Sequence, residues 1–197
     1  ICRKTSCSST RSGALHFPHA RSVATALTHP EKMMELTTLA AQVIERAIAG
    51  KQRLVTVESC TGGLIAHALT SISGSSAVFW AGLVTYHNDI KHMLVGVPQE
   101  VLESHGAVSA PCAAQMAAGG IRTAQATLSV SVTGIAGPSG GSPEKPVGTV
   151  CIGLATKETT TARRYTFSFG KRLMNKRIFA MTALDVLRRS ILKVSPL

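Results

Sequence analysis

Three short stretches of this chain place hydroxyl, amine and glycine residues at spacings that chemistry can use. The β-branched run Leu54-Val55-Thr56-Val57 stops at Glu58-Ser59 and turns through Cys60-Thr61-Gly62-Gly63. That pattern predicts a strand delivering a hydroxyl to the start of a helix, beside backbone N–H groups able to hold a phosphate or a developing oxyanion. A plain structural job also suits these residues, with Ser59 or Thr61 capping the helix and the glycines permitting close packing. A serine is a poor nucleophile until something takes its proton, and Lys91, in Tyr86-His87-Asn88-Asp89-Ile90-Lys91, is the candidate base. An ordinary lysine titrates near ~10.4, so Lys91 must be partly buried or set beside positive charge to act near neutral pH. A surface lysine on a short helix is the bland alternative. Thr133 closes the apolar run Leu128-Ser129-Val130-Ser131-Val132 just before Gly134-Ile135-Ala136-Gly137-Pro138-Ser139-Gly140-Gly141. There a hydroxyl and backbone amides can share one site, although a turn-forming threonine fits as well. Tyr86 could pass a proton or be an ordinary strand aromatic, and Asp89 suits a helix's first turn.

These groups need elements to position them. Alternating patterns predict strands over residues 53–57, 78–86, 127–132, 148–155 and 160–169, the last two forming an antiparallel hairpin. Helical periodicity runs from near Met34 through Leu36, Leu39, Ala40, Val43, Ile44 and Ala47, and again over 62–71, 111–123 and 173–192. A short helical turn from Asn88 would point Lys91 back toward the strand end. Strands alternating with helices imply an α/β layered domain with a partly parallel sheet, whose ligands gather beyond the carboxyl ends of the strands. All three motifs sit at such ends.

The chain has 197 residues, 45% of them hydrophobic and only 4% aromatic. It is therefore read as one well-buried domain with a core of small and branched side chains, plus an appendage. The formal charge of +11 invites a nucleic-acid reading, but basic and aromatic residues are not interleaved. Five cysteines without paired spacing and seven scattered histidines give neither a disulfide framework nor a metal site. A reducing, cytoplasmic setting is the expectation, with no membrane span and no nucleic-acid partner. Residues 1–33 are Ser, Thr, Arg and His rich and are read as a basic, disordered leader, with 34–197 as the domain. A fragment of a longer protein, an upstream in-frame stretch and an organelle-targeting segment are the three origins weighed for it.

Taken in order, the three motifs closely resemble those of the CinA C-terminal domain family, the nicotinamide-nucleotide amidohydrolases. Residues 58–63 are similar to its E-S-C-T-G-G, 86–91 to its Y-x-N-x-x-K and 133–141 to its T-G-I-A-G-P-x-G-G, with Pro146 to Val150 and Phe169 to Arg172 also matching. The resemblance runs from about Met34 to Leu192. It implies a three-layer α/β/α sandwich on a mixed, largely parallel five-stranded sheet, in the stand-alone form without a further N-terminal domain. The implied reaction is deamidation of nicotinamide mononucleotide to nicotinic acid mononucleotide and ammonia, without cofactor or metal. By position, the resemblance implies Ser59 as nucleophile and Lys91 as base, with Tyr86 and Thr133 assisting. Thr61, Gly62, Gly63, Asn88, Gly134, Ala136, Gly137, Gly140 and Arg172 are the substrate-binding candidates, the glycine loop or Arg172 for the phosphate. His87, Ser139 and Lys171 depart from the family pattern. A homo-oligomer, dimeric first, is expected, with no interface legible.

Two other readings are retained: a pyridine-nucleotide-binding or competence-associated module without turnover, and nucleic-acid binding driven by charge. Cys60 tempts as an alternative nucleophile. Its side chain should point away from that of Ser59, which makes core packing its expected job.

Overall fold

The run Leu54–Glu58 (β1) is buried at every residue, and a strand of that kind demands cover on both sides. The computed structural model, which describes residues 35–167 and 169–193, provides it. The leader read at 1–33 lies outside the described residues, as do Cys2, Cys7 and Met34.

Five strands form one sheet: β1, β2 (Phe79–Val84), β3 (Leu128–Gly134), β4 (Thr149–Thr156) and β5 (Thr160–Thr166), in the spatial order β2-β1-β3-β4-β5. β1 pairs in parallel with both β2 and β3, while β3–β4 and β4–β5 are antiparallel, so only β4 runs against the rest. The β4–β5 hairpin is the one expected. β5 stops three residues early because Phe167 turns inward, donating its N–H to Gly148 O and packing at 6.1 Å on the Phe179 ring.

Among the described residues, helices α1 (Leu36–Ala49), α2 (Leu64–Thr70) and α6 (Arg172–Ile191) pack together, and α2 and α6 meet the sheet. The other layer is built from α3 (Asn88–Val95), α4 (Gln99–Ser104) and α5 (Ala110–Ala124), with α5 lying across β1, β3, β4 and β5. This is an α/β sandwich on a mixed five-stranded sheet. α1 buries Leu39, Ala40, Val43, Ile44 and Ala47, the stripe its periodicity predicts. Ser109 caps α5 by accepting the Cys112 N–H, with Pro111 in the first turn.

The small-residue core has a visible use. A Cβ on Gly120 of α5 would lie 2.7 Å from both Ser129 Oγ and Val57 Cγ2, so this crossing is close enough to require glycine. Ser131 Oγ donates to Ala113 O across the same contact, satisfying a hydroxyl buried in mid-sheet. α4 has no counterpart in the sequence reading, since six residues give too short a pattern to separate from a loop. α3 runs for two turns where one was expected.

Candidate active site

β1, β2 and β3 point the same way, so their carboxyl ends meet at one edge of the sheet. Ser59 N–H donates to Val132 O at 2.9 Å and Thr85 N–H to Glu58 O at 2.8 Å, extending the ladders past the strands. These bonds bring the three motifs side by side. A tight turn then closes as Gly62 N–H donates to Ser59 O at 3.0 Å.

Glu58 is fully buried, and its carboxylate accepts N–H groups from Gly63 at 3.0 Å, Ile65 at 3.1 Å and Ala66 at 2.8 Å. The first turn of α2 is thus filled by the chain's own carboxylate. The N–H groups of Gly62 and Gly63, expected to meet an oxyanion, are engaged by Ser59 O and Glu58. Neither Ser59 nor Thr61 caps α2. Glu58 does so from the preceding strand, a role the sequence reading missed. An acid ending a buried apolar strand just before a glycine turn is the signal that could have found it.

A cleft of about 290 Å3 opens at this edge. Ser59, Tyr86, Asn88, Lys91, Thr133, Gly134, Ala136, Gly137, Gly140 and Arg172 all border it, as does Cys60. Thr61, Gly62 and Gly63 do not; they line a separate cleft against α1, α2 and α6.

Lys91 is only 1% exposed although it belongs to an otherwise largely exposed helix. It reaches this position because α3 starts at once after Tyr86-His87, with Lys91 N–H donating to His87 O, and because Lys91 and Val95 form the buried stripe of α3. His87 takes the N-cap by accepting the Asp89 N–H at Nδ1, which gives that departure from the family pattern a local use. Lys91 Nζ donates to Tyr86 O at 3.2 Å. Burial holds its pKa below the ordinary lysine value, against the opposing influence of the nearby Cys112 and Cys60 thiols. Burial also pushes Cys60 up to about 12 and Cys112 up to about 11, so both remain protonated near neutral pH. Cys60, Cys112 and Cys151 are free.

Thr133 is buried and donates its hydroxyl to Ala107 O at 2.8 Å, leaving its lone pairs rather than its proton for the cleft. Arg172, at the first position of α6, donates through Nη1 to Gly137 O at 2.9 Å and through Nη2 to the Tyr86 hydroxyl at 3.1 Å. One guanidinium therefore ties the glycine loop to the tyrosine. Gly137 has φ +80, and a Cβ there would run into Val147 Cγ1. One helical turn beyond Arg172, buried Asn175 donates to Ala136 O at 3.0 Å. Asn175 was also missed. An asparagine on an apolar helix face three residues after Arg172 is its sequence signal. Among the described residues, no three His, Cys, Asp or Glu side chains cluster as metal ligands would, and no helix is long and apolar enough to cross a membrane.

Comparison with known proteins agrees with this architecture. The sequence model of the CinA C-terminal domain matches residues 36–191. A CinA-like protein of Desulforapulum autotrophicum is 50% identical over 155 residues, covering 79% of this chain and 37% of that protein. A putative competence-damage inducible protein of Caldicellulosiruptor bescii is 44% identical over 156 residues, 77% of this chain and 38% of the relative. The chain thus spans little more than a third of the curated relatives it matches. The crystal structure of competence/damage inducible protein CihA from Agrobacterium tumefaciens superposes with TM-score 0.75 at 42% identity, over 77% of this chain and 93% of that one. Competence damage-inducible protein A from Klebsiella pneumoniae superposes with TM-score 0.77 at 33% identity, over 81% and 98%. With sequence and fold in agreement across the strands and helices just described, the chain belongs to the CinA C-terminal domain family.

Proposed function

We propose that this chain is an amidohydrolase that deamidates nicotinamide mononucleotide, with Ser59 as nucleophile and Lys91 as its base. The observation that carries this reading is one cleft shared by Ser59 and a desolvated Lys91. A buried lysine with a lowered pKa is neutral more of the time and can accept a proton.

In the reaction, Ser59 Oγ attacks the carboxamide carbon as its proton passes to Lys91 Nζ. The pyridinium ring draws electrons from the carboxamide and eases this addition. The Lys91 ammonium then protonates the departing nitrogen, so the C–N bond breaks, ammonia leaves and Ser59 holds an acyl ester. Water adds to the ester while Lys91 takes its proton, and collapse returns that proton to Ser59 and releases the carboxylate. The developing oxyanion needs fixed positive charge or N–H groups, and with the Gly63 N–H committed to Glu58 and the Ile135 N–H to Thr149 O the candidates are Arg172 and the N–H groups of Ala136, Gly137, Ser139 and Gly140. Tyr86, held by Arg172, borders the same cleft, and the work is assigned to residues 34–197 alone.

Ammonia release from nicotinamide mononucleotide tests the proposal. Ser59→Ala and Lys91→Ala should each abolish it while leaving the fold intact; wild-type-like release by Lys91→Ala rules out Lys91 as base.

A second reading, a binding module without turnover, draws on the hydrogen bonding. The Lys91 amine is bonded to Tyr86 O, and the Thr133 proton to Ala107 O, neither of them to Ser59. Catalytic hydrogen bonds often tighten only with substrate bound, so this pattern fits both readings. Saturable nucleotide binding by a folded wild-type chain without ammonia release selects the second.

A further inference from the structure

The larger cleft, about 600 Å3, borders the turn after Ser59 from the layer of α1, α2 and α6. Its charged lining has one sign, with Lys176 and Arg177 entering from α6 and no carboxylate contributing. The lysine and arginine ion pairs among the described residues are those of Arg188 and Arg189 with Asp185, so Lys176 and Arg177 have none there. Lys176 is half-buried, and its Nζ stands 3.5 Å from where a Cβ on Gly62 would lie. Its charge reaches the Cys60 thiol, whose pKa it pulls down against the burial. A partly desolvated ammonium without a counterion among the described residues favours an anion beside it.

A second, independent feature points the same way. Thr61, also on the cleft wall, is fully buried, and its Oγ1 has no hydrogen-bond partner. The described residues leave five buried side-chain polar atoms without a partner, and Thr61 Oγ1 is the one whose residue lines this cleft, which makes it the donor for a ligand's acceptor there. An ammonium, a guanidinium fork and a hydroxyl form a donor set suited to a phosphate, and the volume leaves room for a sugar or nucleoside attached to it. We infer that this cleft is a binding site for a phosphate-bearing ligand, held by Lys176 and Arg177 with the Thr61 hydroxyl. The inference goes beyond the amidase reading and requires no turnover.

The test is calorimetric titration of the full chain with inorganic phosphate, at ionic strength held constant with sodium chloride. Saturable binding is expected, weakened at least about tenfold by Lys176→Gln/Arg177→Gln, because charge-assisted donors dominate anion affinity. Thr61→Val should weaken it by a smaller factor without loss of stability, since the orphan hydroxyl is replaced by a methyl of the same shape. Ser59→Ala should bind phosphate as wild type does, so failure of the amidase reading leaves this result standing. Absence of saturable binding, or equal binding by the double variant, overturns the inference; binding lost in Arg172→Gln alone overturns it by moving the anion to the first cleft. The ligand's source is separated on Ser59→Ala. If phosphate and nicotinamide mononucleotide exclude one another there, the cleft takes the substrate's own phosphate, whereas simultaneous binding supports a separate phosphate-bearing ligand.

Discussion

The carboxylate of Glu58 accepts the Ala66 N–H at 2.8 Å across the turn that carries Ser59, with no part of Glu58 exposed to solvent. Because the Gly63 and Ile65 N–H groups share that carboxylate, strand β1, the turn and α2 are joined at one buried charge. Removing it strands three donors at the start of α2. Glu58→Ala should therefore cost about 3–5 kcal/mol, the usual scale for breaking a buried, charge-assisted cluster. Urea unfolding checks the value, and a loss below about 1 kcal/mol, the scale of one neutral hydrogen bond, shows that water replaces the carboxylate.

Lys91 links activity to pH with a definite sign. Its folded-state pKa lies below the ordinary value of 10.5, so the free base becomes available at lower pH than for a solvated lysine. The profile of kcat/KM should rise through an apparent pKa below 10.5 and flatten above it, and Lys91→Arg, charged throughout, should be inactive. Stability has the same direction. Between the lowered folded value and 10.5 the unfolded chain binds more protons, so the Lys91 contribution to stability rises with pH across that window. Below the window the buried ammonium is a net cost, and Lys91→Met should raise the melting temperature at neutral pH. A lower melting temperature for Lys91→Met shows instead that the charge is well solvated by Tyr86 O and its surroundings.

How much of this was legible in the residues follows from the range of the interactions. The stripe of α1, the three parallel strand ends and the gathering of Ser59, Lys91 and Thr133 depend on local periodicity and chain order, which a sequence displays directly. Family motifs then identified the loop of residues 134–140 and Arg172. What could not be read are choices made between distant segments: that Glu58 rather than Ser59 or Thr61 would cap α2, and that Thr61, Gly62 and Gly63 would face a different cleft from their neighbour Ser59. A turn reverses side-chain direction within two residues, and no periodicity predicts which wall each one joins. Asn175 was invisible for a related reason, since its partner, Ala136 O, is 39 residues away.

Arg172 should matter through geometry more than through charge. It donates to Gly137 O and to the Tyr86 hydroxyl from two nitrogens of one plane, which a lysine cannot reproduce. Arg172→Lys is expected to lower kcat/KM by roughly 10–100-fold, about 1.4–2.7 kcal/mol of transition-state stabilisation. Tyr86→Phe, which removes one of the two acceptors, should have the smaller effect. Steady-state kinetics on wild type and both variants checks the order, and an Arg172→Lys enzyme close to wild type would reduce Arg172 to a point charge.

Cys60 sits next to Ser59 and borders the same cleft, so it must be separated from the nucleophile by experiment. With its thiol pushed up to about 12 by burial, the thiolate is scarce at neutral pH, and thiolate is the form that attacks. Cys60→Ala should therefore keep activity within a few-fold, about 1 kcal/mol or less in kcat/KM, the residual change reflecting packing behind the turn. Iodoacetamide at neutral pH should inactivate wild type slowly, and Cys60→Ala no more slowly than wild type. If Cys60→Ala instead abolishes ammonia release while Ser59→Ala retains it, the nucleophile is the thiol, and the Lys91 ammonium beside it becomes the group that stabilises its anion rather than a base.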